Sequence, residues 1–238
     1  MKNKIIYKDF GLTGFKEAWD YQKDLFNQIL EIKKNNRGLP LCEQKVNYDY
    51  LLFCEHPHVY TLGKSGSESN LLINHKLLKE KGAEFYKIDR GGDITYHGPG
   101  QIVGYPVIDL ENYGIGIKDY IRNIEEVIIQ TLKKYSIRAG RLKGAAGVWL
   151  DPEDNKKARK ICAIGVKSSR FVTMHGFAFN VNTNLDYYNY INPCGFIDKG
   201  VTSLRKELNR ELEIPEVKEH LKKYFEKVFG VELDQQNF

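Results

Sequence analysis

Residues Arg90 to Leu110 read RGGDITYHGPGQIVGYPVIDL. The first part, Arg90 to Gln101, packs four glycines, an arginine and a histidine into one short segment. The second, Gln101 to Leu110, is a run of Val, Ile and Tyr that predicts a strand. Another strand, Glu84 to Asp89, enters the turn from the other side. Two strands joined by a glycine-rich turn, with no helix between, argue against the strict strand–helix alternation of a doubly wound sheet.

The surrounding chain repeats this mixed order. Upstream, Phe15, Ala18, Trp19, Leu25, Phe26, Ile29 and Ile32 fall at helical spacing, so Phe15 to Lys34 reads as an amphipathic helix. Tyr50 to Cys54 and Val59 to Leu62 read as strands broken at Pro57. Leu71 to Lys81 reads as a short helix closed by Gly82. Downstream, Ile121, Ile124, Ile128 and Leu132 form one stripe of a helix over Ile117 to Tyr135. Strands follow at Gly147 to Leu150, Lys160 to Val166, Phe171 to Thr173 and Gly176 to Val181, with a polar turn at Asp151 to Asn155. The tail offers helices at Thr202 to Leu208 and Pro215 to Phe229, with Pro215 in a first turn and Gly230 as a stop. The expected class is α+β, a mixed β-sheet packed with helices.

The chain of 238 residues suits one large domain or two small ones. No repeat, low-complexity tract or linker marks a boundary before about Asn180, and residues 1–238 are read as one domain. With 42% hydrophobic and 28% charged residues it is neither disordered nor collagen-like. No apolar run approaches the ~18 residues of a membrane span, and the start MKNKIIYKDFG lacks the apolar core of a secretory signal. Cys42, Cys54, Cys162 and Cys194 are far apart, with no CxxC pair, as expected in a reducing cytoplasm. The net charge is +5, but Arg138 to Arg170 alone holds nine basic and three acidic residues. That stretch is either a solvated lysine-rich loop or a field that steers an acidic partner.

Four segments carry chemistry. The Arg90–Gln101 loop lacks the Gly-Lys-Ser/Thr of a P-loop and the GxGxxG of a dinucleotide fold. It is either a loop whose backbone N–H groups meet a ligand or an ordinary tight hairpin. In Ile191-Asn192-Pro193-Cys194-Gly195-Phe196 the cysteine sits in a turn, whereas Cys54 and Cys162 sit in apolar runs. A turn cysteine is either a nucleophile or an incidental surface thiol. In Arg159-Lys160-Ile161-Cys162-Ala163-Ile164-Gly165-Val166-Lys167, Lys160 stands at the mouth of an apolar strand. It can act as a base, stabilise a thiolate or simply flank the strand. Met174 to Asn180 walls an acyl pocket or forms a plain core strand. Cys54, His56 and His58 alternate around Pro57 without a fourth ligand, so no metal site is expected. There is no GxSxG elbow.

Together RGGDITYHGPGQIVGYPVIDL, RKICAIGVK, TMHGFAFNVN, INPCGFIDKGVTSL and the earlier HPHVYTLGK resemble the bacterial octanoyltransferases, the lipoyl(octanoyl) transferases of protein lipoylation. The resemblance spans about Glu55 to Leu204. It implies the α+β fold of biotin and lipoate protein ligases and transfer of an octanoyl group from acyl carrier protein to one lysine of a lipoyl domain. It implies Cys194 as the acyl-accepting nucleophile and Lys160 as its partner. It further implies a substrate site lined by Arg90, Gly91, Gly92, Asp93, Ile94, Thr95, Tyr96 and His97, by Ala163, Ile164 and Gly165, and by Gly176, Phe177 and Ala178. No role attaches to the Asp93 carboxylate.

Under that resemblance a thioester donor and an amine acceptor are joined through an enzyme thioester, so no ATP, metal or other cofactor is needed. Backbone N–H groups, from an Ala163 to Gly165 turn or the loop at Cys194, would hold the oxyanion. Lys160 would lower the thiol pKa and take a proton from the incoming amine, with His97 the alternative base. Implied partners are octanoyl-acyl carrier protein, lipoyl domains of 2-oxoacid dehydrogenases and the glycine cleavage H protein, with no nucleic acid and no membrane. The basic stretch from Lys156 to Arg170 would then be a docking surface. The rivals are an ATP-dependent lipoate or biotin ligase and a non-catalytic nucleic-acid-binding module. The latter has no recognisable motif here and little aromatic support beyond Trp149 and Phe171.

Overall fold

The strand β2 (Asp49–Glu55) shows how the sequence builds two cores at once. Successive side chains of a strand point to opposite faces, and here Leu51 and Phe53 enter one apolar cluster while Leu52 and Cys54 enter another. The strands β6 (Gln101–Val107) and β10 (Val172–Asn180) repeat this. Ile102, Phe177 and Phe179 join the first cluster, and Val103, Tyr105, Met174 and Ala178 the second. Both faces of this sheet are therefore covered, which explains continuous apolar runs without polar alternation.

This computed structural model describes residues 3–192 and 199–235; Cys194 lies outside the described residues. In chain order, the elements before β6 are β1 (Asn3–Leu12), α1 (Phe15–Asn36), β2, β3 (Val59–Leu62), α2 (His75–Glu80), β4 (Glu84–Lys87) and β5 (Ile94–His97). After β6 come α3 (Ile117–Lys134), β7 (Gly140–Leu142), β8 (Ala145–Leu150), β9 (Arg159–Ser169), β10, β11 (Gly200–Val201), α4 (Leu204–Leu208), α5 (Ile214–Phe229) and β12 (Val231–Gln235). Among the described residues the main sheet has nine strands, in the order β12-β1-β2-β6-β10-β9-β8-β7, with β11 paired to β9. β1 runs parallel to both its neighbours, and the strands from β2 to β7 pair antiparallel. A smaller sheet has the order β4-β3-β5. α3 and α5 cover one face of the main sheet through Ile124, Ile128, Leu132, Leu221 and Phe225. α1 covers part of the other through Ala18, Leu25, Phe26 and Ile29. Among the described residues no helix is long and apolar enough to cross a membrane.

The α+β expectation holds, and so do the helices at α1, α3 and α5. Three local expectations change. The helix expected from Leu71 starts only at His75, because Leu71 bridges to Ile191 and the Asn74 side chain caps the helix by accepting from Leu77 N. The glycine-rich segment holds a strand of its own, β5. The two strands expected around His175 are one. β10 keeps unbroken register against β9 from Val172 opposite Ser169 to Phe179 opposite Cys162, although His175 has φ +60°. Left-handed backbone at a non-glycine residue costs roughly 1–2 kcal/mol, and the buried hydrogen bond from His175 N to Gln22 Oε1 (3.0 Å) helps hold it.

Candidate active site

A cavity of about 420 Å³ opens where the small sheet faces β10 and β9. Its floor is low because small residues meet across the ladder. Ala163 is paired with Ala178, and Gly165 with Gly176. Bulk here is excluded sterically as well. A Cβ on Gly165 would sit 2.9 Å from Gly91 O and 3.0 Å from Arg90 Cδ. The segment expected to turn at Ala163 to Gly165 is instead the middle of β9. β8 pairs with β9 only as far as Val148 opposite Cys162. Beyond that the Arg90–Gly92 loop takes over, with Gly91 N donating to Val166 O (2.9 Å).

One wall comes from that loop and from β5. Arg90 is buried, and its guanidinium donates to Thr61 O (2.7 Å), Thr61 Oγ1 (3.1 Å) and Gly91 O (3.0 Å). This plants a cation in the wall. The Asp93 carboxylate is taken up structurally, accepting from Ile94 N and from Asn70 Nδ2, both at 2.6 Å. His97 donates from Nδ1 to Gln101 Oε1 (2.8 Å). Gln101 Nε2 in turn donates to Asn180 Oδ1 (2.9 Å), which fixes the amide and hence the histidine tautomer. The remaining nitrogen, Nε2, faces Thr61 Oγ1 at 3.4 Å. Burial, reinforced by His56, pushes His97 down to about 3, so it is a neutral, hydrogen-bonded wall residue at physiological pH.

Lys160 stands at the other end of the cavity, half-buried on β9, with Nζ 4.7 Å from the centroid of the Trp149 ring. β11 runs beside it, Val201 opposite Lys160, and Thr202 N donates to Lys160 O (2.9 Å). Lys199, Gly200 and Val201 also line this end. The chain leaves the described residues at Asn192, whose N–H donates to Asn70 O (2.8 Å), and re-enters at Lys199. The expected nucleophile, Cys194, falls between them. The two interior cysteines are poor nucleophiles. Burial pushes the Cys54 and Cys162 thiols up, and the Lys160 charge only partly offsets this at Cys162.

Of the residues expected to line a substrate site, Arg90, Gly92, Asp93, Ile94, Thr95, His97, Ala163, Ile164, Gly165, Gly176, Phe177 and Ala178 meet around this one cavity. Gly91 and Tyr96 do not line it. Tyr96 shares the face of β5 that carries Ile94 and lies deeper, in a core with Tyr60 and Tyr188, its OH 2.7 Å from His58 Nδ1. Sequence reasoning missed Phe15, Val103, Tyr105, Trp149, His175 and Lys199 as wall residues. Phe15 and Trp149 carried only core signals, while Val103, Tyr105, His175 and Lys199 sat inside quoted motifs without a role of their own. His175 is held by Asp89 (Nε2 to Oδ1, 3.1 Å), which also pairs with Lys167 (2.6 Å). His175 and Lys167 hold the Asp89 carboxyl well below its usual range. Among the described residues no group of three or more His, Cys, Asp or Glu is placed to hold a metal ion.

An apolar cavity edged by cations, set on a mixed sheet of this topology, is a site suited to an apolar substrate with a polar head. The model of the lipoyl protein ligase A/B catalytic domain matches residues 16–226. The chain is 51% identical over 230 residues to an octanoyltransferase of Cytophaga hutchinsonii, covering 97% of this chain and 94% of that one. It is 54% identical over 230 residues to an octanoyltransferase of Flavobacterium psychrophilum, covering 96% and 98%. Among solved structures, a bipartite lipoate protein ligase of Thermoplasma acidophilum superposes with a TM-score of 0.72 at 14% identity, over 99% of this chain and 88% of that one. That likeness is one of fold. The chain belongs to the lipoyl protein ligase A/B catalytic-domain family, in its octanoyltransferase branch. It is an enzyme, an acyltransferase.

Proposed function

We propose that the chain, acting as one catalytic domain, moves an octanoyl group from octanoyl-acyl carrier protein to a lysine of a lipoyl domain through a thioester on Cys194. The observation that carries this reading is the cavity itself, apolar and buried at one end, with Lys160 and Lys199 at the other. An acyl chain fits the first end and its thioester head the second. In the first step the Cys194 thiolate attacks the donor carbonyl and the carrier thiolate leaves, taking a proton from the Lys160 ammonium and leaving Lys160 neutral. In the second the acceptor amine attacks the enzyme thioester. The amine proton passes to neutral Lys160, the amide forms and the Cys194 thiolate is released. A cation beside a thiol favours its thiolate, which suits Lys160 to the first step. The low basicity of His97 favours Lys160 over it for the second. The first step exchanges one thioester for another and the second runs downhill from thioester to amide, so no nucleotide is needed. The cavity residues Arg90, Gly92 to Thr95 and His97, Ala163 to Gly165 and Gly176 to Ala178 would bind the acyl group and its thioester.

Intact mass after mixing with octanoyl-acyl carrier protein tests this. The expected result is one octanoyl adduct, lost in Cys194→Ala and retained in Cys42→Ala, Cys54→Ala and Cys162→Ala, with transfer to a lipoyl domain independent of ATP. Transfer that requires ATP, or normal turnover by Cys194→Ala, would overturn the covalent reading.

A further inference from the structure

The cavity has a direction. Lys160 lies on β9 beside β8, and Gly144, Ala146 and Gly200 at that end are exposed. Two strands away, on β6, the lining residues Val103 and Tyr105 are 1% and 3% exposed, and Phe15, the first residue of α1, is 2% exposed. Strands in a sheet stand ~4.8 Å apart, so the step from β9 across β10 to β6 is about 10 Å. The register adds an offset along the strands, because Val103 pairs with Ala178 and Ala178 with Ala163, three residues past Lys160, so the trough runs diagonally and is long enough for an extended eight-carbon chain with its head at the Lys160 end. Phe15 cannot swing aside easily. Its ring stacks on His97 (centroids 6.1 Å apart, planes 9° apart) and packs against His56 and Tyr86, each at 5.4 Å, and against Trp19 at 6.0 Å. The backbone that carries it is tied down as well, because His56 Nδ1 donates to Thr13 O (2.8 Å).

We propose that Phe15 is the gate that sets acyl-chain length, its ring closing the blind end of the cavity where the ω-carbon of the substrate stops. The proposal rests on the acyl-transfer reading and adds a specificity-determining residue to it. Trimming the ring should extend the trough along α1 and admit about two further methylenes. A pocket discriminates between chains differing by a methylene by roughly tenfold or more.

The test measures each protein with free hexanoic, octanoic, decanoic and dodecanoic acid, read by isothermal titration calorimetry, and with the four matching acyl-carrier-protein donors. The proteins are the unsubstituted chain, Phe15→Leu and Phe15→Ala, the milder variant guarding against a failure to fold. The expected result is an unsubstituted chain that prefers eight carbons. In either folded variant the ten-to-eight-carbon ratio should rise about tenfold in affinity and in kcat/KM. Folded variants with an unchanged length profile overturn the gate, as do variants that lose all four lengths equally. The transfer reading fails separately, as a chain that binds the free acids with the expected length profile yet transfers none of the donors.

Discussion

Burial pushes His97 down to about 3 and His56 down to about 4, whereas both imidazoles return to about 6.5 in an unfolded chain. Between those values the unfolded chain binds more protons than the folded one. Stability from these two residues is therefore complete above pH ~6.5 and declines as pH falls, by up to about 1.4 kcal/mol per pH unit for each histidine. Urea midpoints from pH 4 to 8 should follow that slope, and His97→Gln should flatten it by about one proton. A slope unchanged in the variant would mean that His97 binds its proton equally in the folded and unfolded states. Lys160 calls for a different measurement. Lys160→Arg keeps the charge but removes a base that works near neutral pH. It should form the acyl-enzyme and pass the acyl group on poorly, while Lys160→Met should also slow acylation. Single-turnover acylation and deacylation, followed separately across pH, distinguish the two roles. Equal rates for all three proteins would remove Lys160 from the mechanism.

The strand β9 places Lys160, and the pin that holds its start lies one residue away. Arg159 donates from Nε and Nη2 to Glu207, both at 2.7 Å, and from Nη1 to Asp151 at 2.5 Å. Thr202 Oγ1 donates to the same Glu207 carboxylate, and Arg159 holds that carboxyl below its usual range. The pair is partly screened, with 28% and 17% side-chain exposure. Glu207→Gln should therefore cost about 1–2 kcal/mol, at the lower end for a bidentate pair, measurable as a fall in urea midpoint. The middle of β9 is a steric matter instead. Gly165→Ala would push its methyl onto Gly91 O and the Arg90 stem. It should raise KM severalfold through the displaced Arg90 wall, and unchanged kinetics would show that this wall gives way without consequence.

At the scale of the whole molecule, folding divides the basic stretch that the sequence presents as one. Lys156 and Lys157 are exposed on the turn between β8 and β9. Arg170 is on the hairpin after β9, beyond eleven strand residues, which at ~3.3 Å each is about 35 Å away. Arg159, the third cation of the cluster, is consumed by its pin. Under the proposed transfer, docking of an acidic donor near the Lys160 end would fall to Lys156 and Lys157, with Lys199 inside the mouth. Lys156→Glu together with Lys157→Glu should lower kcat/KM for octanoyl-acyl carrier protein severalfold at low salt. It should spare a small octanoyl thioester, and the difference should shrink as salt rises. Equal loss with both donors would place the defect in the chemistry.

The sequence by itself determined the element types and the clustered motifs. Helical spacing, turn residues and apolar runs are local signals, and they carried α1, α3, α5 and most central strands. They also made Arg90 to His97, Lys160 to Gly165 and Gly176 to Ala178 legible as one chemistry. Tertiary structure decided what depends on pairing between distant segments. β1 and β12 join Asn3 to Val231 across almost the whole chain, and their interleaved charges gave no local sign of a strand. Cross-strand register set Ala163 against Ala178 and Gly165 against Gly176 and so hollowed the floor. The fate of each charge and aromatic ring was decided the same way. Arg159 became a pin, Tyr96 sank into the core with Tyr60 and Tyr188, His97 lost its basicity, and Phe15, an ordinary first residue of a helix in the sequence, came to close the cavity. Each outcome follows from desolvation and close packing by residues far away in the chain, which periodicity along it does not encode.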